Sequence, residues 1–279
     1  MIELLTQMFS YGFGRRAMLA GLLVALCAAL LGVMLVLKRY SMIGDGLSHV
    51  GFGALCVAMA LNLAPLSVAV PVVILAAFGL LRLSESSKIK GDAAIALISS
   101  TAIAVGLIAA SLTSGLNTDV SDYLFGSILA TEPRDLWLVV PLAIAVLLVY
   151  LLFYNRIFTV TFDESFARAT GTRTGFYNTV IAVLTAVTVV VGMRIMGTIL
   201  ISSLIIFPAL TAMRVCRSYR AVTVTAALVS VFCFFAGLLF SFGFVTRAGA
   251  GTPPGASVVA ANAIVFVIFW GVGKLRKAS

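Results

Sequence analysis

Charge is scarce in this sequence. Only 10% of its 279 residues are Asp, Glu, Lys or Arg, whereas 62% are hydrophobic. Soluble domains carry roughly 25% charged residues, because a compact body still needs a wetted surface. Ten acids and nineteen bases cannot clothe a globule of this length in water. A soluble enzyme, a disordered chain and a nucleic-acid-binding module are excluded on that ground. Histidine is scarcer still: His49 is the only one, which rules out HExxH proteases and His-cluster oxygenases. No GxxxxGK[ST] occurs, so the chain does not cradle nucleotide phosphates through a P-loop. Any energy source lies in another subunit or in an ion gradient. Met193 and Met196 form one MxxM, too little for a copper relay. Cys27, Cys56, Cys216 and Cys233 have no CxxC spacing and lie in or beside apolar runs, so they read as apolar fillers rather than as a disulfide or zinc framework.

What the sequence has instead is long apolar runs. Nine can be marked, at 17–37, 47–61, 64–81, 93–113, 136–154, 177–193, 197–213, 221–245 and 256–273. A membrane helix needs about 20 apolar residues to cross a ~30 Å hydrocarbon core. The first, fourth, fifth and eighth runs meet that length, and the second and seventh are short enough to be broken or re-entrant helices. The expectation is an all-α, polytopic membrane bundle with eight or nine crossings, forming a single domain over 1–279. The first run is too long for the ~7–15-residue core of a signal peptide, and Leu26 before Cys27 spoils a lipoprotein cleavage site.

The bases between the runs set an orientation. With nine crossings one side holds Lys38, Arg39, Arg82, Lys88, Lys90, Arg156, Arg168, Arg173, Arg214, Arg217, Arg220, Lys274, Arg276 and Lys277. The other holds Arg15, Arg16, Arg134, Arg194 and Arg247. The richer side is expected to be cytoplasmic, which puts the N-terminus outside, the C-terminus inside, and the loop 114–135 with Asp119, Asp122 and Glu132 outside. Small residues mark packing faces, because helices in lipid associate through close approach. Gly21, Ala25 and Ala29 form one such stripe; Gly51 with Ala54, and Ser99 with Gly106, offer others.

Function is expected where the chain breaks its own apolar rule, since ionisable groups at membrane depth are costly. In Gly44-Asp45-Gly46-Leu47-Ser48-His49, Asp45 and His49 are four apart and share one helix face. A carboxylate and an imidazole so placed can ligate zinc, manganese or iron, or pass a proton; they can equally be a structural pair, with His49 bonding a carbonyl. The stretch 162–173 has its acids first and its bases last, which suits a short helix dipole, and Gly171 is placed to stop it. Such a helix can lie on the membrane surface or dock into a partner. Pro208 breaks the run after Gly197, where Thr198, Ser202, Ser203 and Thr211 can bond freed carbonyls. Thr252 to Ser257 reads as a turn before the last run.

These exceptions, in this order, make the sequence resemble the membrane subunit of bacterial ABC importers for zinc, manganese and iron, and most of all the zinc branch. The matching stretches are Met42–Val50, Lys90–Ile95, Asp122–Leu129, Phe162–Ala167, Gly197–Leu204 through Pro208-Ala209, and Pro254–Val259; the opening Met1–Leu5 also resembles the zinc branch. Arg247-Ala248-Gly249-Ala250-Gly251 departs from the family in being longer and Gly-rich. The resemblance implies a type II ABC importer-like permease of the bacterial cytoplasmic membrane, not itself catalytic. It implies a homodimer around a central path, two ATPase subunits inside, an extracytoplasmic metal-binding protein, and no nucleic acid. No permanent cofactor is implied; the substrate is Zn2+, or alternatively Mn2+ or Fe2+. Asp45 and His49 correspond to the family's metal-coordinating pair. Asp163, Glu164, Phe166, Ala167, Arg168 and Gly171 fall in its ATPase-coupling helix. A proton-coupled secondary metal transporter is the alternative outside this family.

Overall fold

The computed structural model describes residues 10–85, 91–112, 126, 128, 132–248 and 252–278. Among the described residues every regular element longer than a turn is an α-helix. In chain order these are α1 Gly12–Leu37, α2 Ile43–Ala60, α3 Pro65–Glu85, α4 Gly91–Ser111, α5 Pro133–Leu152, α6 Tyr154–Phe162, α7 Glu164–Ala169, α8 Thr174–Met196, α9 Thr198–Val215, α10 Tyr219–Ala248 and α11 Pro254–Ala278. Eight of them are long and apolar enough to cross a membrane; α3 is the ninth long helix, its apolar part ending at Leu81. The second and seventh runs are each continuous 18-residue helices, and the third lies in a helix of 21 residues. Asp45 and Arg214, the charged residues that interrupt the second and seventh runs, lie inside those two helices. Lys88, Lys90, Asp119, Asp122, most of Tyr123–Leu129, Met1–Leu5 and Gly249–Gly251 lie outside the described residues.

Helix α1 is the central post, with Ala17, Ala20, Ala25, Ala28, Ala29 and Val33 fully buried. Its small-residue stripe works as expected. A Cβ on Gly21 would stand 1.9 Å from the Phe234 ring of α10, and Ser230 of α10 donates to the Ala25 carbonyl at 2.8 Å. On another face Gly32 lets the α9 backbone in, since a Cβ there would lie 2.0 Å from the Ile205 carbonyl oxygen. Helices α2 and α4 meet through Gly53 and Gly106, whose added Cβ atoms would strike Ala102 O and Gly53 Cα at 2.4 and 2.8 Å. Such approaches replace the missing hydrophobic force by dispersion at close range. Cys27, Cys56 and Cys233 are buried, and none of the four cysteines is bridged, as apolar fillers should be.

The α1–α2 connection is tight. Helix α1 ends in a Schellman closure: Arg39 N donates to Val36 O and Tyr40 N to Leu35 O, with Arg39 in the left-handed region at φ 62°. Four residues later α2 begins, so the chain turns back quickly enough to start Asp45 in the first turn of the new helix.

The apolar faces that remain open belong to α4, α5, α10 and α11. Leu97, Ile108, Trp137, Leu151, Leu228, Phe232, Ile264 and Val267 are among the exposed large side chains. In water such a surface would be an aggregation site; toward lipid it costs nothing.

Candidate metal cleft and hook

Asp45 and His49 share one face of α2, with His49 Nε2 3.5 Å from Asp45 Oδ2. Their side chains are about a third and a quarter exposed, and both open onto a cleft of about 340 Å³ between α2, α9 and α11. The opposite wall is Thr198, Ser202, Ser203, Ile206 and Phe207 of α9, with Val259 of α11 at the edge. Gly44 sets the depth. It packs on Ile205, where an added Cβ would meet Cδ1 at 2.8 Å, and Ile205 is near the middle of α9. The pair therefore lies against the first half of α9, between Thr198 and Phe207, although its own helix has only just begun. Polar groups continue across the helix contact: Ser48 and Ser202 hydroxyls lie 3.2 Å apart, Ser48 donating to Asp45 O and Ser202 to Thr198 O.

Two details bear on the structural reading of this pair. His49 Nδ1 is buried and makes no hydrogen bond among the described residues, so the histidine is not fixed by a carbonyl. The α2 N-terminus has no side-chain cap, so Asp45 is not there to close a helix end. At 3.5 Å the Asp45–His49 contact is at the outer limit of a hydrogen bond. A carboxylate and an imidazole nitrogen thus face open space, loosely joined. No group of three or more His, Cys, Asp or Glu side chains converges among the described residues. One chain offers an ion two ligands here, short of the four of a closed zinc site.

Helix α9 corrects one expectation. It runs unbroken through Pro208, and its hydroxyls bond within their own turns, Ser202 to Thr198 O and Ser203 to Leu200 O. The carbonyl freed by Pro208 belongs to Leu204, one turn further on. What Ser202 and Ser203 do is line the cleft. The stretch Thr252–Ser257 is not a turn throughout: Pro254 to Ser257 already belong to α11, and Thr252 is held ahead of it by Ser241, which donates to Thr252 O at 2.7 Å.

The stretch 162–173 also differs from the single helix read from the sequence. An additional helix, α6, follows α5 after Phe153 and ends at Phe162; the chain bends at Asp163, and α7 is only Glu164–Ala169. Phe162 and Phe166 thus sit on two helices. Asp163 takes the N-cap position, its carboxylate accepting from Phe166 N at 2.8 Å, which satisfies a donor that continuing α6 would have used otherwise. At the far end Gly171, at φ 79°, completes a Schellman closure with Thr172 N donating to Ala167 O. Ala167 is fully buried against the bundle, and Phe166 is 57% exposed. Asp163, Arg168 and Gly171 also face outward.

This hook is bound by a saturated polar network. Glu164 accepts from Arg168 Nη2 at 2.7 Å and from Asn178 Nδ2 at 3.4 Å, and lies 3.6 Å from Lys38 Nζ. Lys38 donates to Asn178 Oδ1 at 2.6 Å. Arg168 Nε reaches Thr174 and Arg156 reaches Thr172, each at 3.0 Å. Burial pushes the Glu164 carboxyl up, but the Arg168 hydrogen bond, the Lys38 charge and the Asn178 amide outweigh it and hold it below the usual carboxylate range. An aromatic cluster backs the hook: Tyr219 of α10 touches the rings of Tyr154, Phe158 and Phe162 at centroid distances of 5.2–5.9 Å and bonds the Tyr150 hydroxyl at 2.8 Å. Sequence reading counted Lys38 only as an orienting base and passed over Asn178 and Tyr219. Their partners are remote in the chain, and no spacing rule connects them.

Comparison with known proteins agrees with this geometry. A match to the ABC 3 transport family runs over residues 10–272. The manganese import system permease protein ScaB of Streptococcus gordonii is 27% identical over 95% of this chain and 93% of its own. The high-affinity zinc uptake system membrane protein ZnuB of Haemophilus influenzae is also 27% identical, over 90% and 94%. Among solved structures, PsaBC from Streptococcus pneumoniae in complex with Fab superposes with a TM-score of 0.84 at 28% identity, covering 97% of this chain and 95% of that one. The similarity is to permeases whose ATPase is a separate subunit, which displaces the reading as a proton-driven secondary transporter. The chain belongs to the ABC 3 transport family and is the non-catalytic, multi-pass membrane permease of a metal importer.

Proposed function

We propose that this permease carries a divalent transition metal, zinc first, and that Asp45 and His49 hold the ion in transit. The observation that supports it is the cleft: a carboxylate and a loosely held imidazole, against the first half of α9, open to space on the side of the bundle. Two ligands per chain favour a homodimer whose two clefts face each other, since two copies supply the four ligands zinc prefers. A site assembled across a moving interface can also release its ion, as a carrier must. Imidazole suits zinc, while a carboxylate-rich set suits manganese; here the two ligand types are equal in number. The named relatives include both a manganese and a zinc system at the same identity.

The hook, with Asp163, Glu164, Phe166, Ala167, Arg168 and Gly171, is the docking piece for an ABC ATPase. The exposed Phe166 ring and the bend at Asp163 offer a knob, and the Glu164 network ties that knob to α1 and α8. Lys38, the hook and the inner ends of α9 and α11 then face the cytoplasm, with the N-terminus outside and the C-terminus inside. An extracytoplasmic metal-binding protein delivers the ion from the other side.

The test is uptake into proteoliposomes or cells carrying the assembled importer, with zinc, manganese and iron competing. Zinc is expected to be taken up in preference and to suppress the other two. Uptake of manganese that zinc leaves untouched would refute the zinc reading and leave the Asp45–His49 reading standing.

A further inference from the structure

The inner ends of α9 and α11 enclose a second polar cavity, of about 290 Å³, remote from the cleft in both sequence and chemistry. Its lining includes Arg214, Arg217 and Lys274, with Trp270, Cys216 and Gly273 between them. Gly273 makes the floor: an added Cβ would lie 2.8 Å from Arg214 O, so the two helices close at that point. None of the three cations makes an ion pair among the described residues. Two are held against rings instead, the Arg214 guanidinium 5.7 Å from the Phe266 centroid and the Lys274 ammonium 5.6 Å from that of Trp270. A ring orients a cation without neutralising it. Each of the two helix C-termini contributes roughly half a negative charge, so three full positive charges leave the cavity positive.

We infer that this cavity binds the phosphate group of an anionic membrane lipid. Three features favour a lipid over a free ion or a protein. Trp270 is half exposed at the cavity wall, an amphipathic ring of the kind that anchors at headgroup level. Ile264, Ile268 and Leu275 recur at helical spacing along α11 and are 61%, 55% and 74% exposed. That stripe faces away from the cavity; on the cavity side it is Val267, one turn before Trp270 and two before Lys274, that is 62% exposed and offers an apolar surface to an acyl chain. Basic pockets between helices at the cytoplasmic face are the general chemistry by which membrane proteins recognise anionic headgroups.

The chain has two tryptophans, Trp137 and Trp270, which gives a direct measurement. Trp137 is 80% exposed on α5 and can be replaced by Phe. In the importer assembled with its ATPase subunits, the signal of Trp270 is the difference between the Trp137→Phe form and the Trp137→Phe/Trp270→Phe form. Phosphatidylglycerol with brominated chains is expected to quench that signal with at least about tenfold preference over brominated phosphatidylcholine. Arg214→Gln with Arg217→Gln and Lys274→Gln should bring the preference within about twofold. Arg217→Gln alone, at an exposed position beyond α9, should lower it severalfold, and Arg217→Lys should keep it. Inorganic phosphate, added against chloride at equal ionic strength, is expected to leave the preference unchanged. Equal quenching by both lipids, or a preference that survives the triple substitution, overturns the inference. So does loss of the preference to inorganic phosphate, which assigns the cavity to a free anion. A preference seen only after the ATPase subunits are stripped away assigns the cations to a protein partner and overturns it as well.

Discussion

The cleft and the hook are built on opposite plans. In the cleft, Asp45 and His49 meet at 3.5 Å and His49 Nδ1 has no partner among the described residues. In the hook, Glu164 is engaged by three side chains, Arg168 of its own helix, Asn178 of α8 and Lys38 just past the end of α1, and both ends of α7 are closed by hydrogen bonds. Under-bonded groups keep their affinity for something that arrives and leaves, since a buried polar atom gains most when its first partner appears. Fully bonded groups hold one geometry, which is what a piece that transmits force between subunits requires. On the proposed function, the difference separates the part that binds an ion transiently from the part that stays rigid.

Removing a ligand gives the largest expected effect. Asp45→Ala or His49→Ala should lower metal uptake on the order of a hundredfold, while thermal unfolding and co-purification of the ATPase stay at wild-type values. Wild-type uptake in both variants would erase the contrast. The hook should behave the other way round. Glu164→Ala removes the carboxylate shared by Lys38, Arg168 and Asn178, so ATPase retention and uptake should both fall, by roughly tenfold, with the preference among metals unaltered. A changed metal preference in that variant would mean that hook and cleft are not separate in function.

The pH response sharpens the same point. Because the folded Glu164 carboxyl titrates below its unfolded value of 4.5, its contribution is complete above that value and is lost as pH falls through the folded one. A spin label at the exposed Ser165 should therefore keep constant mobility from pH 8 to about 5 and become more mobile only below about 4.5. Loosening already near pH 6 would show that another group holds the hook. The smallest effect concerns the turn that delivers Asp45. Arg39 occupies the left-handed region at φ 62°, so Arg39→Gly should raise stability by up to about 1 kcal/mol, read as a higher midpoint of thermal unfolding with uptake unchanged.

Much of the fold was legible because lipid imposes a simple rule. Length and hydropathy located every long helix, and the alanine and glycine stripe of α1 identified its packing face. The misreadings came where polarity and periodicity lose meaning. The second and seventh runs looked short because Asp45 and Arg214 interrupt them near one end, yet the helices continue past both. Phe162 and Phe166 fit one helix by spacing, but Asp163 caps a new helix there and bends the chain. In the site, Asp45 and His49 stood out as ionisable groups in an apolar sequence, whereas Ser202, Lys38, Asn178 and Tyr219 did not, being ordinary residues made consequential by distant neighbours.

The sequence by itself determined that this chain lives in a bilayer, which segments are helical, and which two side chains break the apolar rule. Those properties follow from the cost of moving each residue into hydrocarbon, a sum that needs no knowledge of neighbours. Only the tertiary structure decided that α2 meets α9 at Gly44 and Ile205, that the pair opens onto a cleft instead of lipid, and that Lys38 meets Glu164 across 126 residues of chain. Helices in lipid are chosen by close packing, which depends on the shape of both partners at once. A single chain read along its length does not carry that information locally.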